Sequence, residues 1–131
     1  MRKRDTGFSL IELLIVVALV AIIVTLSAGG YGHVLNRTHR GDAMRALLRI
    51  AGTQERFYLE NDRYAGSVSE LGLANRSERS FYALSINVEG AASGYRAIAS
   101  AIAEGRQASD LDCPVLTINA TGARKPDNCW R

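Results

Sequence analysis

Few residues in this 131-residue chain have the types and spacing that carry chemistry, and the most conspicuous is a carboxylate in an apolar run. Glu12 lies five residues into a segment starting at Phe8, and 17 of the 21 residues from Phe8 to Ala28 are apolar. An acid near the start of such a helix is costly in lipid, so it implies a partner or a function, and the natural partner is a cation. Cys113 and Cys129 are the second candidate. With 15 residues between them they suit one bridge in an oxidising compartment. Closing a loop of that size is worth about 3 kcal/mol through unfolded-chain entropy. A redox pair would more often be spaced Cys-x-x-Cys, and two cysteines without well-placed histidines are poor zinc ligands. His33 and His39 are six apart, so they do not stack on one helix face and read as solvated. Asp110 and Asp112 offer oxygens to calcium but lack the rest of a binding loop. Gly30-Tyr31-Gly32 lacks the third glycine and the preceding strand of a phosphate loop, and no local nucleophile signature accompanies the serines. The residues therefore predict no catalysis, no metal and no cofactor.

The elements that must position these residues begin at the N-terminus. Met1 to Gly7 carries Arg2, Lys3 and Arg4 against Asp5. From Leu13 to Asn36 there follow 24 residues without formal charge, with His33 neutral, and the strongly apolar part ends near Leu26. About 20 helical residues cross a hydrocarbon core, and a basic leader stays cytoplasmic, which sends the rest of the chain outward. A cleavable secretory signal is the bland alternative, but its apolar core does not normally hold an acid. Overall the chain is 47% apolar with a net charge of +3, a basic balance that invites nucleic acid or acidic membrane as partner.

Gly7-Phe8-Ser9-Leu10-Ile11-Glu12 followed by the apolar run resembles the processing site of type IV pilins and pseudopilins. The resemblance implies that a prepilin peptidase cuts after Gly7 and N-methylates Phe8. It also implies that Glu12 pairs with the Phe8 amine of a neighbouring subunit during assembly. Such a pairing is physically sensible, since each charge offsets the other's desolvation. The partners implied are other pilin subunits, the peptidase and the inner-membrane assembly machinery. The precursor would be a single-pass inner-membrane protein with a periplasmic head, and its destination a pilus on the cell surface.

Beyond the span, Gly29, Gly30 and Gly32 form the weakest part of any continuous helix. We expect one helix from Phe8 to near Glu60, whose 53 residues would span about 80 Å. From Val34 onward it is amphipathic: Ala43, Ala46, Leu47, Ile50, Phe57 and Tyr58 form a packed face, while Arg37, Arg40, Asp42, Arg45, Arg49, Glu55 and Arg56 largely take the other directions. Ser67 to Leu71 forms a short turn with Ser67 as N-cap, Glu70 three residues on and Gly72 as stop. Strands are expected over Tyr82–Val88, Tyr95–Ala103 and Val115–Ala120, giving an antiparallel sheet of three or four strands on the helix. The expectation is an α+β fold of the type IV pilin kind, divided into a leader (1–7), a membrane and filament-core half-helix (8–30), an amphipathic half-helix (31–60) and a head (61–131). Gln54 to Asn61 with Tyr64, and the segment from Cys113 to Gly122 ending in Cys129-Trp130-Arg131, resemble the helix end and C-terminal disulfide loop of PilE-type minor pilins.

The function that follows is a structural one: a minor pilin supporting pilus biogenesis, motility or adhesion. Two rivals are a DNA-uptake pilin binding through Arg76, Arg79, Arg96, Arg124, Lys125 or Arg131, and a type II secretion pseudopilin. Three triplets, at Asn36, Asn75 and Asn119, match the glycosylation pattern and receive no function, because such short patterns recur by chance.

Overall fold

The structure, a computed structural model, describes residues 7–90 and 93–131, the side chains of residues 27–29 excepted. Met1 to Thr6, most of the expected leader, and Ala91 and Ala92 lie outside the described residues. Element order is α1 (Leu10–Asn61), β1 (Tyr82–Val88), β2 (Tyr95–Ala101), β3 (Val115–Asn119) and β4 (Arg124–Lys125), closed by a 3-10 turn at Asp127–Trp130. The chain divides into two compact units between Leu35 and Asn36.

In the first unit, α1 begins at Leu10, two residues later than expected, and its backbone stays helical through the glycine cluster. Among the described residues no single helix is long and apolar enough to cross a membrane, whereas Leu10–Leu26 and Gly30–Asn61 taken together are, by length and composition. The large apolar side chains from Phe8 to Leu26 are exposed in the isolated chain.

The second unit is a helix segment on a sheet. Strand order is β1-β2-β3-β4, every pair antiparallel, with Leu84 opposite Ala99 and Ala99 opposite Leu116. Alternation decides which face is buried. Tyr82, Leu84, Ile86, Tyr95, Ala97, Ala99, Leu116 and Ile118 point inward, onto Ala43, Leu47 and Ile50 of α1. Small Ala97 and Ala99 on the central strand let the helix lie close to the sheet. The second strand is two residues shorter than its sequence pattern, because Ile102 starts a turn that the Gly105 N–H closes on the Ile102 carbonyl at 2.8 Å. The third ends at Asn119, where Gly122, at φ 79°, turns the chain back toward β4. Cys113 and Cys129 are joined as expected, both fully buried, with Cα atoms 5.7 Å apart.

Candidate functional site

The N-terminal residues singled out by the sequence lie together at the start of α1. Gly7 precedes the helix, and a Cβ built on it would meet nothing within 4 Å, so the backbone stands open to close approach. Phe8 is 81% exposed. Glu12 occupies the first turn, where the helix dipole favours a negative charge, and its side chain is exposed. Leu10, Ile11, Leu13 and Leu14 around it are each more than half exposed. An exposed apolar surface of this extent needs lipid or other protein to cover it.

In the second unit, polar side chains of α1 fix the loops of the head, and here the amphipathic reading needs correcting. Arg40 is directed not to solvent but to Asp110, with Nε and Nη2 each donating at 2.6 Å to one carboxylate oxygen. Their side chains are only 11% and 2% exposed. The hydrogen bonds from Arg40 hold the Asp110 carboxyl below its ordinary value, against the opposing effect of burial, and Asp110 raises Arg40 in turn. Asp110 is thus a structural ion-pair partner, its two oxygens already engaged. Gln107, fully buried, donates to Asp110 at 2.8 Å and to the Asn36 carbonyl at 3.1 Å, while its own carbonyl oxygen lies 3.1 Å from His39 Nδ1. His39 also stacks on Phe81 at 4.3 Å, so it is a packed residue and not a solvated one. Tyr82 lies beneath this cluster, its buried hydroxyl meeting no hydrogen-bond partner among the described residues, and burial pushes the phenol up to about 12.

Asp42 is the second correction: it is 1% exposed and accepts the Arg79 backbone N–H at 3.3 and 3.4 Å. Gln54, also fully buried, pairs its amide with the Ala65 peptide in both directions at 2.9 Å, tying the chain that leaves α1 back onto it. The sequence did carry a signal for Gln54, since it continues the four-three-four spacing of Ala43, Leu47 and Ile50 on the core face. The turn after it is capped as expected by Ser67 Oγ on the Glu70 N–H at 3.2 Å, while the Glu70 carboxylate reaches Gly66 N–H and Arg63 instead of Ser67.

The six cations considered for nucleic acid do not converge. Arg96 and Lys125 line one groove on the outer sheet face with Thr117 and Asn119, and Arg96 also bonds Glu89 at 3.0 Å. Arg124 lies over the Trp130 ring at 5.1 Å. Arg76 lines a different groove, beside α1.

Comparison with known proteins agrees with this arrangement. A family model described as type IV minor pilin ComP, DNA uptake sequence receptor, matches residues 30–117. The prokaryotic N-terminal methylation motif matches residues 2–28. The type IV major pilin protein PilA of Myxococcus xanthus (strain DK1622) is 34% identical over 116 residues, 88% of this chain, and the chain spans about half that relative's length (47%). The high-resolution structure of a type IV pilin from Shewanella oneidensis superposes with a TM-score of 0.59 at 32% identity, covering 73% of this chain and 98% of the other. With the methylation motif at one end, the minor-pilin match over most of the rest and the shared helix-on-sheet fold, the chain belongs to the type IV pilin family.

Proposed function

We propose that this chain is a minor pilin: a prepilin cut after Gly7, methylated at Phe8 and assembled through its exposed N-terminal helix into a type IV pilus that supports motility or adhesion. The single observation that carries this reading is the acid Glu12 in the first turn of an apolar helix whose side chains are exposed in the lone chain. A filament supplies what that surface lacks. Packing the N-terminal helices together covers their apolar side chains, and a Phe8 ammonium from a neighbour offsets the charge of Glu12. The precursor is held in the inner membrane by the same helix, with the leader cytoplasmic and the head outside. Its partners are then other pilin subunits, the prepilin peptidase and the assembly machinery, and the divisions 1–7, 8–30, 31–60 and 61–131 are the leader, core half-helix, amphipathic half-helix and head of that subunit. Sequencing the mature N-terminus tests this reading. A start at methylated Phe8 is expected, whereas a start beyond Leu26 would replace it with a secretory signal.

A second reading is favoured by the family match over residues 30–117, whose description names a DNA uptake sequence receptor. In that reading the Arg96 and Lys125 groove contacts phosphates. A gel shift with the full chain in detergent should then retard DNA at low salt and release it steeply at high salt. The absence of a shift at low salt removes it.

A further inference from the structure

Three strands bring hydrogen-bond donors together on the face of the sheet turned away from α1. Ala97, Leu116 and Ile118 point into the core, so by alternation Arg96, Thr117 and Asn119 stand on the opposite face. Pairing sets them side by side: Arg96 is opposite Asn119, and Thr117 is opposite Lys125 of β4. The groove of about 360 Å³ at this place is lined by Arg96, Thr117, Asn119, Ala123 and Lys125. Among the described residues none that lines it is acidic.

The polar groups of the groove are set up to donate. Asn119 Oδ1 accepts the Ala123 N–H and the Thr121 hydroxyl, both at 2.8 Å. A backbone N–H must meet an acceptor, which fixes the orientation of this carboxamide and leaves Nδ2, a donor, for other contacts. Arg96 is held as well, since its Nη2 donates to Glu89 at 3.0 Å and leaves Nε and Nη1. Donors ordered beforehand lose little freedom when a ligand arrives.

Charge then selects the ligand. Glu89 offsets one of the two cations, so the groove suits one further negative charge and not a row of them. Arg124 lies over Trp130 and Arg76 lines a different groove, so neither adds to it. A DNA duplex presents one charge about every 1.7 Å and is held by several cations at once. A single carboxylate on a neutral ring rich in hydroxyls fits better: the carboxylate meets the guanidinium and the ammonium, and the hydroxyls meet Thr117 and Asn119 Nδ2. The volume lies within the range of roughly 300–1,000 Å³ usual for small-molecule sites, enough for one such ring. We propose that this groove binds an acidic sugar, a pyranose carrying one carboxylate, as a unit of an extracellular polysaccharide. Display of the groove to such a polymer rests on the pilin-subunit reading above.

The test is calorimetric titration of the full chain, in a sugar-free nonionic detergent and calcium-free buffer, with a trisaccharide of galacturonic acid. Saturable binding is expected, at least about tenfold weaker for the methyl ester, which keeps the hydroxyls and loses the charge. Asn119→Asp retains an oxygen for the Ala123 N–H and puts an acidic oxygen in place of Nδ2. It should lower affinity at least about tenfold at an unchanged denaturation midpoint, as should Lys125→Gln. Equal affinity for acid and ester, or undiminished binding by Asn119→Asp, overturns the proposal. Displacement of the sugar by a DNA oligonucleotide at lower concentration than the trisaccharide needs to bind also overturns it, and gives the groove to phosphates. The mature N-terminus separates this site from the pilin reading. A start at methylated Phe8 without sugar binding overturns the site alone; a start beyond Leu26 with charge-dependent sugar binding supports the site and removes the filament.

Discussion

Arg40 and Asp110 show what a single buried pair does in this head. Each of the two hydrogen bonds spans 70 residues of sequence and pins the loop before Cys113 to the helix. Arg40→Ala leaves Asp110 buried with only part of its bonding, and should destabilise the protein by about 3 kcal/mol in chemical denaturation. The pair also sets an acid limb. Asp110 has its carboxyl lowered in the folded state, so its contribution is fully present above the ordinary carboxylate value of 3.8 and is lost as pH falls through its lower folded value. Arg40→Ala should remove that limb from a stability-pH profile. At the other extreme Tyr82 and Tyr95, raised by burial from 10 to about 12, favour the fold below pH 10, and that contribution is lost as pH rises toward 12. Tyr82→Phe should flatten the alkaline limb, and because the buried hydroxyl has no hydrogen-bond partner among the described residues the change should cost less than about 1 kcal/mol at neutral pH. An unchanged alkaline limb in that variant would contradict the assignment.

At the scale of elements, α1 and three strands could be read from the chain because their signals are local: a 3.6-residue pattern from Ala43 to Ile50, and strict alternation at Tyr82, Leu84 and Ile86. What escaped was the role of Arg40, Asp42, His39 and Asp110. A polar residue is buried only when a partner meets it, and here the partners lie 37 to 70 residues away, beyond any periodicity. The short β4 was equally invisible, since Arg124 and Lys125 become a strand only by pairing with Ile118 and Thr117. The C-terminal loop was legible through its two cysteines. Their bridge holds the segment that carries β4 and Trp130, where the Trp130 indole N–H donates to the Lys125 carbonyl at 3.3 Å. Replacing both cysteines by serine should lower the stability of the head by about 3 kcal/mol, read as an earlier midpoint in denaturant. No shift in midpoint would mean that the sheet holds this end without the bridge.

For the whole molecule, the net charge of +3 changes meaning once the chain is divided. Residues 1–7 contribute three cations and one acid, so the 124 residues that follow carry a side-chain balance of only +1. The basic excess lies mainly in residues 1–7, and anion binding by the rest of the chain rests on local grooves such as that of Arg96 and Lys125. The apolar fraction divides in the same way, between an N-terminal helix with exposed side chains and a head with its own core. The proposed assembly therefore turns on Glu12, the one charge in the apolar run from Phe8 to Ala28. Glu12→Ala, measured as its ratio between sheared pili and membranes, tests it most directly. Wild-type levels in the membrane and at least about a tenfold loss from pili are expected when a buried ammonium is left unpaired; equal incorporation of Glu12→Ala and wild type would contradict the proposed pairing.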